Sequence, residues 1–293
     1  MLQLKESCAI IESKKMKGCR LRLLEIMKIS VSSYSFERLV QKGQMTQLDT
    51  IKKAKELGFD CIEFTEIKPH DGSTQLEYAT KIATAAKEAG ICVNCYTIAA
   101  HFAVDTDEEL QAEVERMKGQ VDIAEALGVH LMRQDSMRKM GNYRSFDQAL
   151  PMLAKGVRAV CEYAETKGIK TMIENHGYFC QDSVRVEKLV NAVAHPNFGL
   201  LVDMGNFMCA DGDPVASVRS NIDIASFIHF KDFFRRTAGN PPLGEGWMRT
   251  RAGHYLRATV IGHGSVELVP IVKIIKESGY DGYISVEFEG KED

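Results

Sequence analysis

The chain has 293 residues, of which 45% are hydrophobic and 26% are charged, and its formal net charge is −3. This composition is typical of a globular protein with a sizeable core, and the small negative charge gives no electrostatic footprint for nucleic acid or an anionic membrane. No apolar run reaches the roughly 20 residues that a membrane span needs. We therefore expect a soluble protein that acts on small molecules, without a nucleic-acid or membrane partner.

The first 26 residues differ from the rest of the chain. They are charged, and Lys and Arg interrupt their short apolar stretches, so they do not form a secretory signal. We therefore divide the chain into an N-terminal extension, residues 1–26, and one domain, residues 27–293. The eight cysteines are scattered through predicted strands and helices rather than framing a small loop-rich fold, so we expect reduced thiols and a cytoplasmic location.

From Lys28 onward, predicted strands alternate with predicted helices. Most strand segments are short and rich in Val, Ile, Leu or Phe without clean alternation, which indicates parallel strands buried on both faces. Seven helical patterns lie between the strands, and several end in Gly immediately before the next strand. The eight predicted strands span residues 29–35, 61–67, 91–98, 129–134, 169–174, 198–203, 225–230 and 282–288.

Eight strands with seven interposed helices predict an α/β fold, the (β/α)₈ TIM barrel. An open doubly wound sheet is the main alternative, but it usually shows a Gly-rich phosphate loop after its first strand, and SVSSYSFERLV contains none. The chain stops six residues after Glu287, so we expect the barrel to lack its final helix. The N-terminal extension, another segment or a second subunit of a homo-oligomer could cover the face left open. The long segment from about Asp232 to Gly264 shows no clear structural pattern.

Four successive apolar runs in the second half of the chain each end in a side chain that can bind a metal. Glu174 closes IKTMIE and Asp203 closes FGLLVD, while His229 and Glu287 close IASFIH and DGYISVE. The carboxyl ends of barrel strands meet at one rim, so their inward-pointing side chains can converge on one ion. One imidazole with three carboxylates suits a hard-to-borderline divalent cation and leaves room for substrate oxygens. Any one of the carboxylates alone could instead cap the next helix.

These residues and their neighbours resemble the xylose isomerase-like TIM barrels, in particular proteins of the sugar phosphate isomerase/epimerase type. The resemblance covers roughly residues 28–290. It is carried by IENH (173–176), LVDMGN (201–206), HFKD (229–232), IGHGSVEL (261–268) and GYDGYISVEFEG (279–290). It implies one bound divalent metal ion, Mn²⁺ first with Mg²⁺, Co²⁺ or Zn²⁺ as alternatives, held by Glu174, Asp203, His229 and Glu287.

The resemblance also implies a chemistry. In the epimerase branch of this family, two metal-bound glutamates move a proton off and on the carbon next to a carbonyl, and Glu174 and Glu287 take their places here. Arg235, six residues after His229, matches an arginine that contacts substrate oxygens. That branch has a histidine where this chain has Asn206, which can donate a hydrogen bond to a substrate hydroxyl but cannot carry a proton.

Other polar side chains are expected near the same rim. His176 follows the strand-five glutamate by two residues and is predicted to bind substrate. Lys231 could bind a substrate oxygen or pair with a buried acid. Glu63 and Glu66 lie in the second predicted strand. We expect one of them to form an ion pair inside the barrel and the other to line a pocket wall. Arg133 ends the fourth strand and faces the same rim.

These observations predict a metal-dependent isomerase or epimerase that abstracts a proton next to a carbonyl of a sugar, cyclitol or keto-sugar derivative. The same groups support a lyase or dehydratase if a leaving group lies β to that proton. A barrel that binds a sugar without turnover is a third interpretation. An endonuclease IV-like DNA repair enzyme shares the barrel, but it would need a basic face and many strand-end histidines, and the eight histidines here are scattered.

Overall fold

The computed structural model describes residues 27–137 and 139–292, so the extension predicted for residues 1–26 lies outside the described residues. The barrel strands are β1 (Lys28–Ser32), β2 (Cys61–Thr65), β3 (Cys92–Ile98), β4 (Leu131–Gln134), β5 (Lys170–Glu174), β6 (Phe198–Asp203), β7 (Ala225–Phe230) and β11 (Tyr283–Val286). They pair in parallel in the closed order β1–β11–β7–β6–β5–β4–β3–β2. The predicted (β/α)₈ barrel is confirmed, and the domain boundary at residue 27 stays a prediction.

Helices follow the barrel strands and form the outer layer. The α-helices are α1 (Glu37–Gln41), α2 (Gln47–Glu56), α3 (Gln75–Ala89), α4 (Asp107–Leu127), α5 (Phe146–Thr166), α6 (Ser183–Val193), α7 (Pro214–Asn221) and α8 (Leu268–Ser278). Short 3₁₀ helices span Ser33–Phe36, Asn206–Ala210 and Ile222–Ile224, so residues 33–35 do not extend the first strand as predicted. Up to residue 292, no described residue after β11 is helical. Among the described helices, none combines the length and the apolar character that a membrane span requires.

Sequence signals explain where several helices begin and end. The N-cap threonines of α2, α3 and α4 each accept a hydrogen bond from the third residue of the helix, whose carboxylate bonds back to the N-cap N–H. At the other end, α3, α4 and α8 stop at Gly90, Gly128 and Gly279, all with the left-handed backbone that favours glycine. These caps fix the lengths of the helices, and thereby the positions from which the next strands enter the barrel.

The barrel interior contains two stacked layers of side chains. The lower layer is apolar and fully buried, and consists of Cys95, Met172, Leu201 and Phe227. Because alternate residues of a strand face the same side, the residues two positions further along each strand also face the interior and lie closer to the carboxyl rim. These are the polar side chains Thr97, Glu174, Asp203 and His229. The apolar layer therefore forms the floor under a polar layer.

The segment between β7 and α8 differs from the prediction. It contains an antiparallel sheet of β8 (Asp232–Arg236), β9 (Met248–Arg249) and β10 (Tyr255–Thr259), in the order β8–β10–β9. The carboxylate of buried Asp232, the first residue of β8, accepts hydrogen bonds from the N–H groups of Gly262, Gly264 and Val266 and so holds the segment after β10 against this sheet. Any side chain at Gly264 would collide with Asp232. The prediction of a loop without regular structure was wrong, because these short strands pair only with one another and carry no strong burial pattern.

An apolar cavity of about 260 Å³ lies on the outer side of β1 and β11. Val31 and Phe36 line it from one side, and Val286 and Phe288 line it from the other. Val260, Ile261 and Glu292 also line it, so among the described residues the segment before α8 and the C-terminal residues cover part of the face that the sequence predicts to be open.

Candidate metal centre

Four side chains that could hold a metal ion meet at the carboxyl rim of the barrel. Glu174 and Asp203 are the last residues of β5 and β6, His229 lies near the end of β7, and Glu287 directly follows β11. All four are buried, and one potential ligand atom of each lies within 4.8 Å of those of the other three. Strand register produces this meeting, because Asp203 pairs with His229 on neighbouring strands. These four residues are called the ligand cluster below.

The imidazole of His229 is oriented by a carboxylate outside the ligand cluster. Its Nε2 lies 2.8 Å from Oε2 of Glu63, and both side chains are completely buried. An ionised carboxylate only accepts hydrogen bonds, so we assign the ring proton to Nε2. The other ring nitrogen, Nδ1, then presents a lone pair to the ligand cluster.

The surroundings of Nδ1 fit a cation. This atom lies 3.7 Å from Oε2 of Glu287, 3.8 Å from Oε1 of Glu174 and 3.9 Å from Oδ2 of Asp203, and it has no hydrogen-bond partner among the described residues. Burial lowers the pKa of His229, but the carboxylates of Glu63 and Glu287 raise it well above its usual value. The position therefore attracts positive charge, which either a proton or a metal ion could supply.

Asp203 is fixed so that one carboxylate oxygen is left for the cluster. Its Oδ1 accepts hydrogen bonds of 2.9 Å from the backbone N–H groups of Gly205 and Asn206. The side chain of Asn175 brackets the Asp203 backbone, accepting from its N–H and donating to its C=O at 2.8 Å each. No described residue donates a hydrogen bond to Oδ2, although Nζ of Lys231 lies 3.2 Å away. Burial, together with the neighbouring carboxylates, raises the pKa of Asp203 to about 6.

Each of the two glutamates predicted to be catalytic has a buried cationic partner. Arg133 Nη2 lies 2.5 Å from Oε2 of Glu174, and the Lys231 ammonium contacts the carboxylate of Glu287. Burial would raise the pKa of both glutamates. The Arg133 charge and His229 nevertheless lower that of Glu174, and the Lys231 charge and His229 hold that of Glu287 well below its usual value. Both carboxylates are therefore kept ionised inside the barrel.

The predicted substrate-binding residues fall into different places. Asn206 is buried and donates a hydrogen bond of 2.8 Å from Nδ2 to Oε1 of Glu174, and Lys231 contacts two members of the ligand cluster. His176 lies at the edge, with a side chain that is 47% exposed and Nδ1 3.2 Å from Oδ1 of Asp135. The structure thus brings two of the four predicted residues onto the cluster, and their substrate roles stay predictions.

Arg235 lies apart from these residues. It is exposed on β8, where it lines a cavity of about 230 Å³ together with Met208, Asp213 and Glu267. The contact between Arg235 and substrate oxygens, which the resemblance implies, stays a prediction.

Three residues that hold the cluster, Glu63, Arg133 and Asn175, were given no definite partner by sequence reasoning. Glu63 pairs in the β-ladder with Cys95 of the apolar layer, so it faces the interior, whereas Glu66 lies beyond the end of β2 and is exposed. The available signal was an acid placed between buried apolar residues of a short strand. It indicates that the carboxylate needs a partner, but not which one.

A family model described as "Xylose isomerase-like TIM barrel" matches residues 51–293 of the chain. Curated relatives include the inosose dehydratases of Clostridium botulinum (strain Alaska E43 / Type E3) and Clostridium beijerinckii (strain ATCC 51743 / NCIMB 8052). The first is 28% identical over 155 residues and the second 29% identical over 153 residues, and each match covers 51% of this chain and 50% of the relative. The chain therefore spans about half the length of these curated relatives.

Solved structures share the fold over most of the chain. An IOLI protein with a binding zinc atom superposes with a TM-score of 0.69 at 18% identity, covering 90% of both chains. A probable 3-DHS dehydratase AsbF from Bacillus anthracis gives 0.68 at 19% identity, covering 90% of this chain and 94% of the other. An L-ribulose 3-epimerase gives 0.67 at 15% identity, with coverages of 90% and 82%. The fold and the matched family model agree with the resemblance, and the chain belongs to the xylose isomerase-like TIM barrel family.

Proposed function

We propose that this protein is a metal-dependent enzyme that removes a proton from the carbon next to a carbonyl of a sugar, cyclitol or keto-sugar derivative. The observation that carries the proposal is the buried Nδ1 of His229, which has no hydrogen-bond partner in the described part of the chain and faces three carboxylates at 3.7–3.9 Å. Arg133 and Lys231 pair with these carboxylates from the sides, but Nδ1 gains no partner from them, and a buried nitrogen without a partner is unfavourable. A cation bound between Nδ1 and the carboxylates would provide that partner. Three carboxylates with one imidazole fit Mn²⁺ first, with Mg²⁺, Co²⁺ or Zn²⁺ as alternatives. The zinc atom of the structurally similar IOLI protein supports a divalent ion.

The residues of the cluster divide the chemical work. Glu174, Asp203, His229 and Glu287 would hold a divalent cation, which would supply positive charge against the negative charge developing on the substrate carbonyl oxygen. Glu174 and Glu287 are ionised and can accept the proton that leaves carbon. The hydrogen bond from Asn206 fixes one oxygen of Glu174, and Arg133 fixes the other. The dry apolar floor below strengthens each of these electrostatic interactions.

Isomerisation or epimerisation is the first candidate outcome. Two carboxylates contributed by β5 and by the residue after β11 can act on different sides of a bound carbonyl compound. Glu174 can take the proton, and Glu287 can pass a proton from the Lys231 ammonium to the opposite face, which inverts the carbon. One carboxylate that returns the proton to the adjacent carbon would interconvert an aldose and a ketose instead.

Dehydration is the second candidate, and Lys231 favours it. Its ammonium contacts Glu287 and is within 3.2 Å of Asp203, so a proton donor lies beside the proposed base. If a hydroxyl lies β to the abstracted proton, this ammonium can protonate the departing oxygen as water leaves. The similarity of half the chain to inosose dehydratases supports this candidate.

The test is proton–deuterium exchange by Mn²⁺-loaded protein in heavy water, over a panel of ketoses, keto-glycosides and inososes. We expect deuterium at the carbon next to the carbonyl, measured by NMR or mass spectrometry. Glu287→Gln should lower the exchange rate about 10²- to 10⁴-fold, the usual size of a general-base contribution, with the barrel still folded by circular dichroism. Glu162→Gln, an exposed carboxylate paired with Arg158 on α5, is the matched control and should retain the rate.

The products decide between the candidates. An epimer or isomer supports the first, and an unsaturated or diketo product formed with loss of water supports the second. Retained exchange in Glu287→Gln would contradict the assigned base. Protein that takes up no metal ion and exchanges no substrate proton even in the presence of Mn²⁺ would point to the barrel that binds without turnover.

A further inference from the structure

A chain of two buried hydrogen bonds crosses the barrel interior from β3 to β7. Oγ1 of Thr97 donates to Oε1 of Glu63 at 2.7 Å, and Oε2 of Glu63 is 2.8 Å from Nε2 of His229. Glu63 and His229 are 166 residues apart in sequence and are completely buried. The contact therefore depends on the closed barrel rather than on any local segment.

Each carboxylate oxygen of Glu63 has one buried hydrogen-bond contact. A carboxylate without solvent is costly unless it is hydrogen-bonded and paired, and Thr97 and His229 provide one partner for each oxygen. The pairing selects one tautomer of the neutral imidazole, with hydrogen on Nε2. It also selects which nitrogen faces the ligand cluster, because Nδ1 is the only ring nitrogen left.

A second contact restricts the tilt of the same ring. Phe227, in the apolar layer directly below, packs edge-to-face against His229 with ring centroids 5.7 Å apart and an interplanar angle of 74°. The imidazole is thus held at Nε2 by Glu63 and below by Phe227, and its Nδ1 faces the carboxylates of the ligand cluster. Such a ring has little freedom to adapt to a metal ion, so its position must already be suitable.

A buried ion pair with a purely stabilising role is the simpler alternative for Glu63 and His229. That role would be fulfilled by the 2.8 Å contact alone. It gives no reason for the other nitrogen of the ring to face Glu174, Asp203 and Glu287 without a hydrogen bond. The placement of Nδ1 is what distinguishes a positioned metal ligand from a structural pair.

We propose that Glu63 is a positioning residue that, with Thr97 behind it, fixes the ring orientation and tautomer of His229 and thereby sets the affinity for the metal ion. The inference rests on the metal site of the proposed function, but not on the reaction carried out there. Partners that orient a ligating histidine usually contribute a factor of about 10 to 100 in metal affinity.

The test uses the full chain, stripped of metal with a chelator and titrated with Mn²⁺ and with Zn²⁺ by isothermal calorimetry. Glu63→Gln keeps the volume of the side chain, but it removes the charge and allows an amide N–H to face the ring. We expect about 10- to 100-fold weaker binding. Thr97→Val removes the hydroxyl that donates to Glu63 and also contacts Cys95, and should weaken binding by about threefold, as part of the same factor. Glu115→Gln, an exposed carboxylate paired with Lys118 on α4, is the matched control and should bind as the unaltered protein does.

Unchanged metal affinity in Glu63→Gln, together with a lower melting temperature, would show a structural ion pair and overturn the inference. If Glu63→Gln does not fold, Thr97→Val decides, because unchanged affinity in that folded variant also overturns it. Unaltered protein that binds neither ion overturns both the inference and the proposed function. Tight metal binding that depends on Glu63, without proton exchange on any substrate, would contradict the proposed function alone.

Discussion

The two layers inside the barrel lie on the same strands and face the same way, yet they have opposite chemical character. Met172, Leu201 and Phe227 are apolar, and the residues two positions further along these strands are Glu174, Asp203 and His229. Two residues along each strand therefore separate a layer whose burial stabilises the fold from a layer whose burial destabilises it.

This difference shows how a barrel can remain stable although its interior contains several buried carboxylates. Buried carboxylates destabilise a fold unless they are paired, and here Arg133 and Lys231 supply the pairing. The apolar layer excludes water from below, which strengthens the interactions above it. We expect changes in the lower layer to act mainly on the free energy of unfolding, with an added effect on metal binding at Phe227, which packs against His229. Changes around the upper layer should act on metal binding.

The most severe change to the lower layer is Phe227→Ala. The ring is completely buried and contacts both Tyr283 and His229. Deleting it should lower the free energy of unfolding by about 3 to 5 kcal/mol, because the cavity cannot close in a rigid barrel. Urea denaturation of metal-free protein measures this loss. A loss below about 1 kcal/mol would mean that the lower layer is not the stabilising one.

A change beside the upper layer tests whether effects on the free energy of unfolding can be separated from effects on metal binding. Asn175→Ala removes the amide that satisfies both the N–H and the C=O of Asp203. We expect a loss of about 2 kcal/mol in the free energy of unfolding, since two buried backbone groups lose their partner. Metal affinity, measured by calorimetry, should fall as well because Asp203 is no longer held. A loss of stability with unchanged affinity would contradict the role given to Asn175.

The mildest change, Met172→Leu, alters the lower layer conservatively and tests whether metal binding is independent of that layer. It keeps the apolar character and nearly the volume of a fully buried side chain. The free energy of unfolding should change by less than about 1.5 kcal/mol, and the affinity for Mn²⁺ should not change. A marked loss of affinity would show that the shape of the lower layer, and not only its apolar character, positions Glu174.

The positions of the ligand cluster could be predicted because each member ends an apolar run. Glu174 and Asp203 are the last residues of their strands, and parallel strands in a barrel all end at one rim. The helix ends were equally readable, as the glycines after α3, α4 and α8 mark them. These features are local in sequence, and the closed barrel brings them together without further information.

The partners of the cluster could not be predicted in the same way. The contact between Glu63 and His229 spans the barrel, and choosing Glu63 over Glu66 requires the register of β2 against β3. The pairing of Arg133 with Glu174 likewise depends on side-chain length and direction rather than on a pattern. The sheet β8–β10–β9 was missed because pairing between short strands leaves little periodic signal.

The ladder pairing of Asp203 with His229 has a consequence for how this protein can change during evolution. Deleting or inserting a single residue within β6 would turn Asp203 from the interior toward the helices, because neighbouring residues of a strand face opposite sides. Length variation should therefore be absent from β5, β6, β7 and β11 among proteins that keep this chemistry. It should instead concentrate in connections such as residues 237–247, between β8 and β9, where added residues leave the barrel register unchanged.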